Sequence, residues 1–467
     1  MVPTLPATFP SRVGQVGASQ EADRLEGETV ELLQTLIRNA CVNDGSEGSG
    51  EEHRNAAVLT ALLEGSGVDL ERYEPAPGRV SLVASVDPPR PDGPVLVYLA
   101  HTDVVPVSPE GWRRDPFGGE LVDGEVWGRG AVDMLNLTAT MAVALRHLLA
   151  RGRPPCGLVY VAVADEEAGG HLGAKWLVEH LPLLRRVHGV VSEFGGMPLR
   201  TPSGATKLPV VVAEKGVNWT RLVVHGRPGH GSQPFGADNA LAKAALVVQR
   251  LLASEPEVRV LPVWEAYVAG LGLPPELTEA LLDPAGVDRV LPELPQALAA
   301  QAHAATRATF TPTVAHGGTK TNVIPDRVEL EVDIRILPGE DPAEVPARLA
   351  AALGDLAPSV EIDQRHRDPG SESPTDTPLW HALARSAQQI VPGSELLPFL
   401  VAGGTDSRFF RALGVPAYGF GLFSERLPLG DFQAMFHGND ERVDVESLRR
   451  SAELFAALPG HFADLAG

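Results

Sequence analysis

The stretch PVLVYLAHTDVVP, residues 94–106, decides the fold. An unbroken apolar run from Pro94 to Ala100 has the length and composition of a strand buried on both faces. It stops at an imidazole, His101, and a carboxylate, Asp103, follows two residues later. Two further runs share this form: GLVYVAVA (157–164) closes on Asp165, Glu166 and Glu167, and RVHGVVS (186–192) closes on Glu193. Between them LTATMAVALRHLLA (137–150) places Leu137, Met141, Leu145 and Leu149 a turn apart, the stripe of an amphipathic helix. Upstream, Val30, Leu33 and Ile37 mark another helix over 21–40. Strands alternating with helices predict an α/β fold: a mostly parallel mixed sheet flanked by helices.

From Val210 the pattern changes. RVELEVDIRI (327–336) alternates strictly, with Val328, Leu330, Val332, Ile334 and Ile336 on one face and charged residues on the other. That is a strand covered on one side only, as in antiparallel sheets. DPAE (341–344) then opens a helix, with Asp341 as N-cap, Pro342 at the first position and Glu344 closing a capping box. The expected organisation is a catalytic domain in two parts, 20–209 and 369–467, with an inserted α+β lid or dimerisation domain at 210–368. Within the insertion, 252–308 reads as mostly helical. The first 20 residues are Pro-, Gly- and Ser-rich and read as frayed.

The 467 residues are 44% hydrophobic and 21% charged, an ordinary globular balance. With 39 Lys and Arg against 60 Asp and Glu the net charge is −21, whose field repels phosphates. Nucleic acid and anionic membrane are therefore not expected partners. Two cysteines, Cys41 and Cys156, exclude a disulfide framework and a Cys-rich metal site. The N-terminus does not read as a secretory signal and no run reaches bilayer length, so the expected location is the cytoplasm.

In open α/β sheets ligands bind beyond the carboxyl ends of the strands. Three apolar strands here end in imidazole or carboxylate, and Asp133, in GRGAVDM on the turn before the 137–150 helix, can reach the same rim. An oxygen-rich set with imidazole suits zinc or a similar divalent ion. One ion cannot use so many carboxylates, whereas three carboxylates and a hydroxide neutralise two. Such pairs of ions, about 3.5–4 Å apart, activate water and stabilise a developing oxyanion. Glu166 beside Glu167 offers one carboxylate for a metal and one to carry a proton.

Six motifs in order, AHTDVVP, WGRGAVDM, DEEAGG, SEFGG, GRPGHGSQP and FHGNDER, resemble the M20 family of zinc metallopeptidases and amidohydrolases. The resemblance runs from about residue 25 to 460. It implies two zinc ions per chain, with Co2+ or Mn2+ as possible substitutes. His101, Asp133 and Glu193 would hold one ion and Asp133, Glu167 and His437 the other. It further implies Glu166 as general base and Asp103 as the brace of His101. His230 would polarise the scissile carbonyl, often from a partner subunit. Asn322, Arg335, Gly403, Gly404 and Arg408 would contact the substrate.

The implied reaction is hydrolysis of a dipeptide or C-terminal peptide bond beside a free carboxylate, with N-acyl amino acid deacylation as the alternative. A homodimer through the inserted domain is the implied assembly. A catalytically silent binding protein and a two-metal phosphoesterase remain as other classes. Three departures stand out. Leu135 and Asn136 follow GRGAVDM where the family has Lys-Gly, Glu193 stands where some members have Asp, and the 252–308 segment lengthens the lid as in the carboxypeptidase S-like branch.

Overall fold

The computed structural model describes residues 18–466; of the 20 residues read as frayed, 1–17 lie outside these and 18–20 begin the first helix. A ten-stranded mixed sheet forms the centre. Its main path runs Asp69–Ala76, Arg79–Val86, Gly157–Val163, Val95–His101, Gly189–Ser192, Ala417–Gly419, Thr206–Glu214 and Ser371–Glu372. The Val95–His101 strand pairs in parallel with Gly157–Val163 on one side and Gly189–Ser192 on the other. All three are buried along their whole length, which is why they read as continuous apolar runs. Because they run in parallel, their carboxyl ends open on the same edge of the sheet.

The helix Leu135–Ala150 is buried almost all round, not amphipathic as its spacing predicts. Its two threonines are small and find backbone carbonyl acceptors. Thr138 Oγ1 donates to the His101 carbonyl at 2.7 Å, and Thr140 Oγ1 to the Leu137 carbonyl at 3.0 Å. The helices Ala18–Arg38 and Val445–Ala466 flank it. Tyr98 Oη crosses from the sheet to donate to the Phe455 carbonyl.

A second sheet of five antiparallel strands is built from Gly216–Val217, Thr220–His225, Thr309–Gly317, Arg327–Ile336 and Val360–Gln364. Along Arg327–Ile336 the five alternate apolar residues are buried as read, against the helices Ala240–Leu252 and Val345–Leu353. Asp341 caps its turn by accepting the Ala343 N–H at 2.9 Å. Glu344 pairs with Arg348 rather than closing a capping box, because Pro342–Glu344 is a 3-10 turn and the α-helix starts at Val345.

Four helices between Pro262 and Ala305 make up most of the segment that the sequence places in the lid. Their apolar side chains instead enter the core of the larger sheet. Trp264, Tyr267, Leu281 and Ala302 are buried there, and the Tyr267 ring meets Phe399 edge-on at 5.5 Å. Gln301 Nε2 ties the segment to the Leu400 carbonyl at 2.8 Å. The chain returns to the first sheet at Ser371–Glu372 and stays in it through Ser394–Val401 and Ala417–Gly419. No helix among the described residues is long and apolar enough to cross a membrane.

Candidate metal centre

Three parallel strand ends deliver the first side chains. His101 is the last residue of its strand, Glu166 and Glu167 sit on a 3-10 turn after the next, and Glu193 follows the third. Asp133 arrives on the loop before the buried helix, and His437 on a loop near the C-terminus. The turns are tight enough that Asp165, Phe194 and His437 take left-handed backbone angles, φ 71°, 68° and 51°. Each such residue costs of order 1–3 kcal/mol, a cost that concentrates at functional sites.

The side chains converge in two groups that share Asp133. His101 Nε2 lies 3.2 Å from Asp133 Oδ1 and 3.6 Å from Glu193 Oε2. His437 Nε2 lies 3.2 Å from Asp133 Oδ2 and 3.4 Å from Glu167 Oε2. Within each group one donor atom per residue falls inside 4.8 Å of the others. Asp133 therefore turns one oxygen toward each histidine.

Three carboxylates packed against two imidazoles make a strongly negative, poorly solvated site, and the titrations follow. Burial, then the charge of Asp133, pushes Glu167 up to about 8. Burial likewise raises Glu193 to about 7. For Glu166 burial comes first and the Glu193 charge second, and its carboxyl is held well above the ordinary range. Hydrogen bonds to Asp133 and Glu167 lift His437 to about 10. Burial alone would lower His101, but its bonds to Asp133 and Glu193 raise it.

The donor set fits divalent cations. Glu167 Oε1 is buried without a hydrogen-bond partner among the described residues, and Glu193 Oε2 has the His101 ring nitrogen no nearer than 3.6 Å, so both oxygens keep unused acceptor capacity. Carboxylate oxygen with imidazole nitrogen is a zinc-type set.

Asp103 differs from its expected part. The contact to His101 Nδ1 comes from the Asp103 backbone carbonyl at 3.0 Å, with the carboxylate at 3.6 Å. The carboxylate accepts the backbone N–H groups of Glu166 at 3.3 Å and Glu167 at 3.1 Å, and Asn43 Nδ2 at 2.8 Å. Asp103 thus pins the turn that presents both glutamates.

A cavity of about 230 Å³ opens over Glu166, Glu167, Glu193 and His437. Phe194 and Phe436, chain neighbours of Glu193 and His437, meet on one wall with ring centroids 4.4 Å apart and planes tilted by 57°. Val217, Trp219 and Arg335 line it from the smaller sheet, and Gly403, Gly404 and Arg408 from the larger. Arg335 pairs with Asp333 at 2.6 Å. Arg408 spends both terminal nitrogens on the carbonyls of Thr405 and Gly169, each at 2.7 Å, so it braces the cavity loops.

His230 and Asn322 are not brought to this cavity. Both are exposed, and Gly229–His230 pairs antiparallel with the distant segment Val323–Ile324; Gly231 N donates to the Asn322 carbonyl at 2.8 Å and His230 Nδ1 meets Ser232 Oγ at 2.8 Å. These two short strands form a sheet of their own, and neither residue is among those lining the cavity.

Sequence reasoning passed over Glu441. It is fully buried and accepts from Gly130, Val132 and Asp133 N–H and from Arg129. In the string GNDER it looks like a solvated loop acid. A buried Asn43–Arg79–Glu52 chain behind Asp103 was equally invisible: Arg79 donates to Glu52 at 2.6 Å and to Asn43 at 2.8 Å.

Comparison with known proteins gives the chain's family. The family model described as peptidase family M20/M25/M40 matches residues 97–460. Human aminoacylase-1 is 28% identical, over 84% of this chain and 86% of that protein. The N-fatty-acyl-amino acid synthase/hydrolase PM20D1 of Xenopus tropicalis is 29% identical over 78% of this chain and 71% of its own. The crystal structure of human carnosine dipeptidase 1 superposes with a TM-score of 0.74 at 17% identity, covering 96% of this chain and 98% of that one, a likeness of fold.

Proposed function

This chain belongs to peptidase family M20/M25/M40 and is a metal-dependent hydrolase of amide bonds; from that premise we propose that it is a two-zinc enzyme cleaving a peptide bond of a dipeptide or C-terminal residue beside a free carboxylate. The observation that carries the proposal is the placement of Asp133, whose two oxygens face two histidines in two ligand groups below one cavity.

His101, Asp133 and Glu193 would hold one ion and Asp133, Glu167 and His437 the other. Two bound divalent ions would polarise the scissile carbonyl and make water acidic enough to ionise near neutral pH. Glu166 takes the water's proton on its carboxylate and hands it to the amine nitrogen as the C–N bond breaks. Its burial near Glu193 strengthens it as a base. Asp103 fixes where that carboxylate stands by holding the Glu166 and Glu167 N–H groups. Arg335 receives the substrate carboxylate, and the Gly403–Gly404 backbone lets the chain approach the substrate closely.

His230 and Asn322 act from a second copy of the chain. A homodimer through the smaller sheet is supported by its exposed strand Thr309–Gly317 and by exposed Phe235, Val314 and Val323.

A second reading, N-acyl amino acid deacylation, is favoured by the wall of Phe194, Phe436 and Trp219, which suits an apolar acyl group better than a cationic amino terminus. Parallel assays of zinc-loaded protein on dipeptides and on N-acetyl and N-long-chain-acyl amino acids separate the two. If neither class is hydrolysed, the proposal fails.

A further inference from the structure

We infer that Glu441 is a positioning residue that fixes the second ligand group by locking the loop of His437 to the loop of Asp133; the inference rests on the two-ion reading above. Glu441 Oε1 accepts Val132 N–H at 2.7 Å and Asp133 N–H at 3.0 Å. Its Oε2 accepts Gly130 N–H at 3.0 Å and Arg129 Nη1 at 2.9 Å. The Glu441 carbonyl in turn takes Gly128 N–H at 2.9 Å, and Arg442–Asp444 continues as a strand against Glu125–Trp127.

A carboxylate with no exposure is costly unless its lone pairs are filled. Here four donors fill them, one a guanidinium that is itself buried. Three of those donors are consecutive or near-consecutive peptide groups at the shared ligand. The tie therefore sets the backbone from which the Asp133 side chain starts.

Its other end matters as much. His101 and Glu193 are held by their own strands and are nearly inaccessible. The His437 side chain is 55% exposed and reaches Asp133 and Glu167 from the open side of the site. It stands only a few positions before Glu441 in the chain, so the buried anchor limits where the imidazole can stand. Loss of the anchor should loosen the group containing His437 far more than the group containing His101 and Glu193.

Glu441→Gln keeps the shape but turns one acceptor into a donor facing donors. The test is zinc binding by the metal-free full chain, measured by equilibrium competition with a chelator. Wild type should bind two ions. Glu441→Gln should keep one within a few-fold and lose about 10–100-fold at the other, as outer partners of metal ligands typically do. That loss should match His437→Ala, and the double variant should bind no more weakly than His437→Ala alone.

Unchanged affinity at both sites overturns the inference, as does equal weakening of both sites with a lowered melting temperature of the metal-free protein. If Glu441→Gln does not fold, Arg129→Met carries the test by removing the guanidinium partner, and two wild-type affinities there overturn it. A wild-type chain that takes fewer than two ions overturns the two-ion reading itself, a distinct outcome.

Discussion

His437 Nε2 lies 3.2 Å from Asp133 Oδ2, although the two residues come from loops far apart in the chain. The other oxygen of Asp133 stands at the same distance from His101. One carboxylate thus serves both histidines, and Asp133 belongs to both ligand groups.

Glu166→Gln removes the proton carrier without removing a proposed ligand. Turnover should fall by about 10²–10⁴-fold while zinc content is retained. Steady-state kinetics with metal analysis of the same sample decides it, and near-normal turnover refutes the assigned base.

Gly419 lies behind Glu193, where an added Cβ would stand 1.9 Å from the Glu193 carbonyl oxygen and 2.9 Å from Val211 Cβ. Neither backbone nor a packed valine can give way cheaply. Gly419→Ala should cost about 1–3 kcal/mol or more, read as a lowered melting temperature, and should weaken zinc at the group containing Glu193. A variant as stable as wild type would show that this strand end is softer than its packing implies.

His230 is exposed in the single chain and acts, on the proposal, in a partner's site. His230→Ala and Glu166→Gln should each be nearly inactive alone. After mixing and subunit exchange, activity should return, since some dimers then hold one intact site. No recovery, in a sample shown to exchange subunits, counts against the dimer reading.

Lys215 sits where the chain passes from the larger sheet to the smaller. It is 1% exposed, and its Nζ donates to the Arg307 carbonyl at 2.8 Å and to Thr309 Oγ1. Burial lowers it to about 7, against 10.5 ordinarily. Between those values the unfolded chain holds a proton that the folded chain does not, so folding becomes more favourable as pH rises from about 7 towards 10. Below 7 both states are protonated and the effect vanishes. Urea unfolding of wild type and Lys215→Met should give a stability difference that shifts in favour of wild type by of order 2–4 kcal/mol over that window. Parallel curves would mean Lys215 stays charged in the fold.

The part of this molecule legible in the sequence is the part governed by local pattern. Strands buried on both faces read as apolar runs, and acids or imidazoles at their ends mark the rim, so His101, Glu167 and Glu193 could be placed together. His437 entered only through family resemblance, because a loop residue hundreds of positions away carries no periodicity. The 262–305 helices were read as helices, yet periodicity tells which face is apolar and not what it will cover; it covers the larger sheet. Thr138 and Thr140 illustrate a related point, since a hydroxyl bonded to a nearby backbone carbonyl buries as readily as a methyl. Glu441 was hidden because four bonds, not its neighbours in sequence, make it a core residue.

The central claim is best tested by a crystal structure of zinc-loaded protein with data at the zinc edge. Two anomalous peaks per chain are expected, about 3.5–4 Å apart, one touching His101, Asp133 and Glu193 and the other Asp133, Glu167 and His437. A single peak, or peaks that leave Asp133 outside the shared position, would contradict the account.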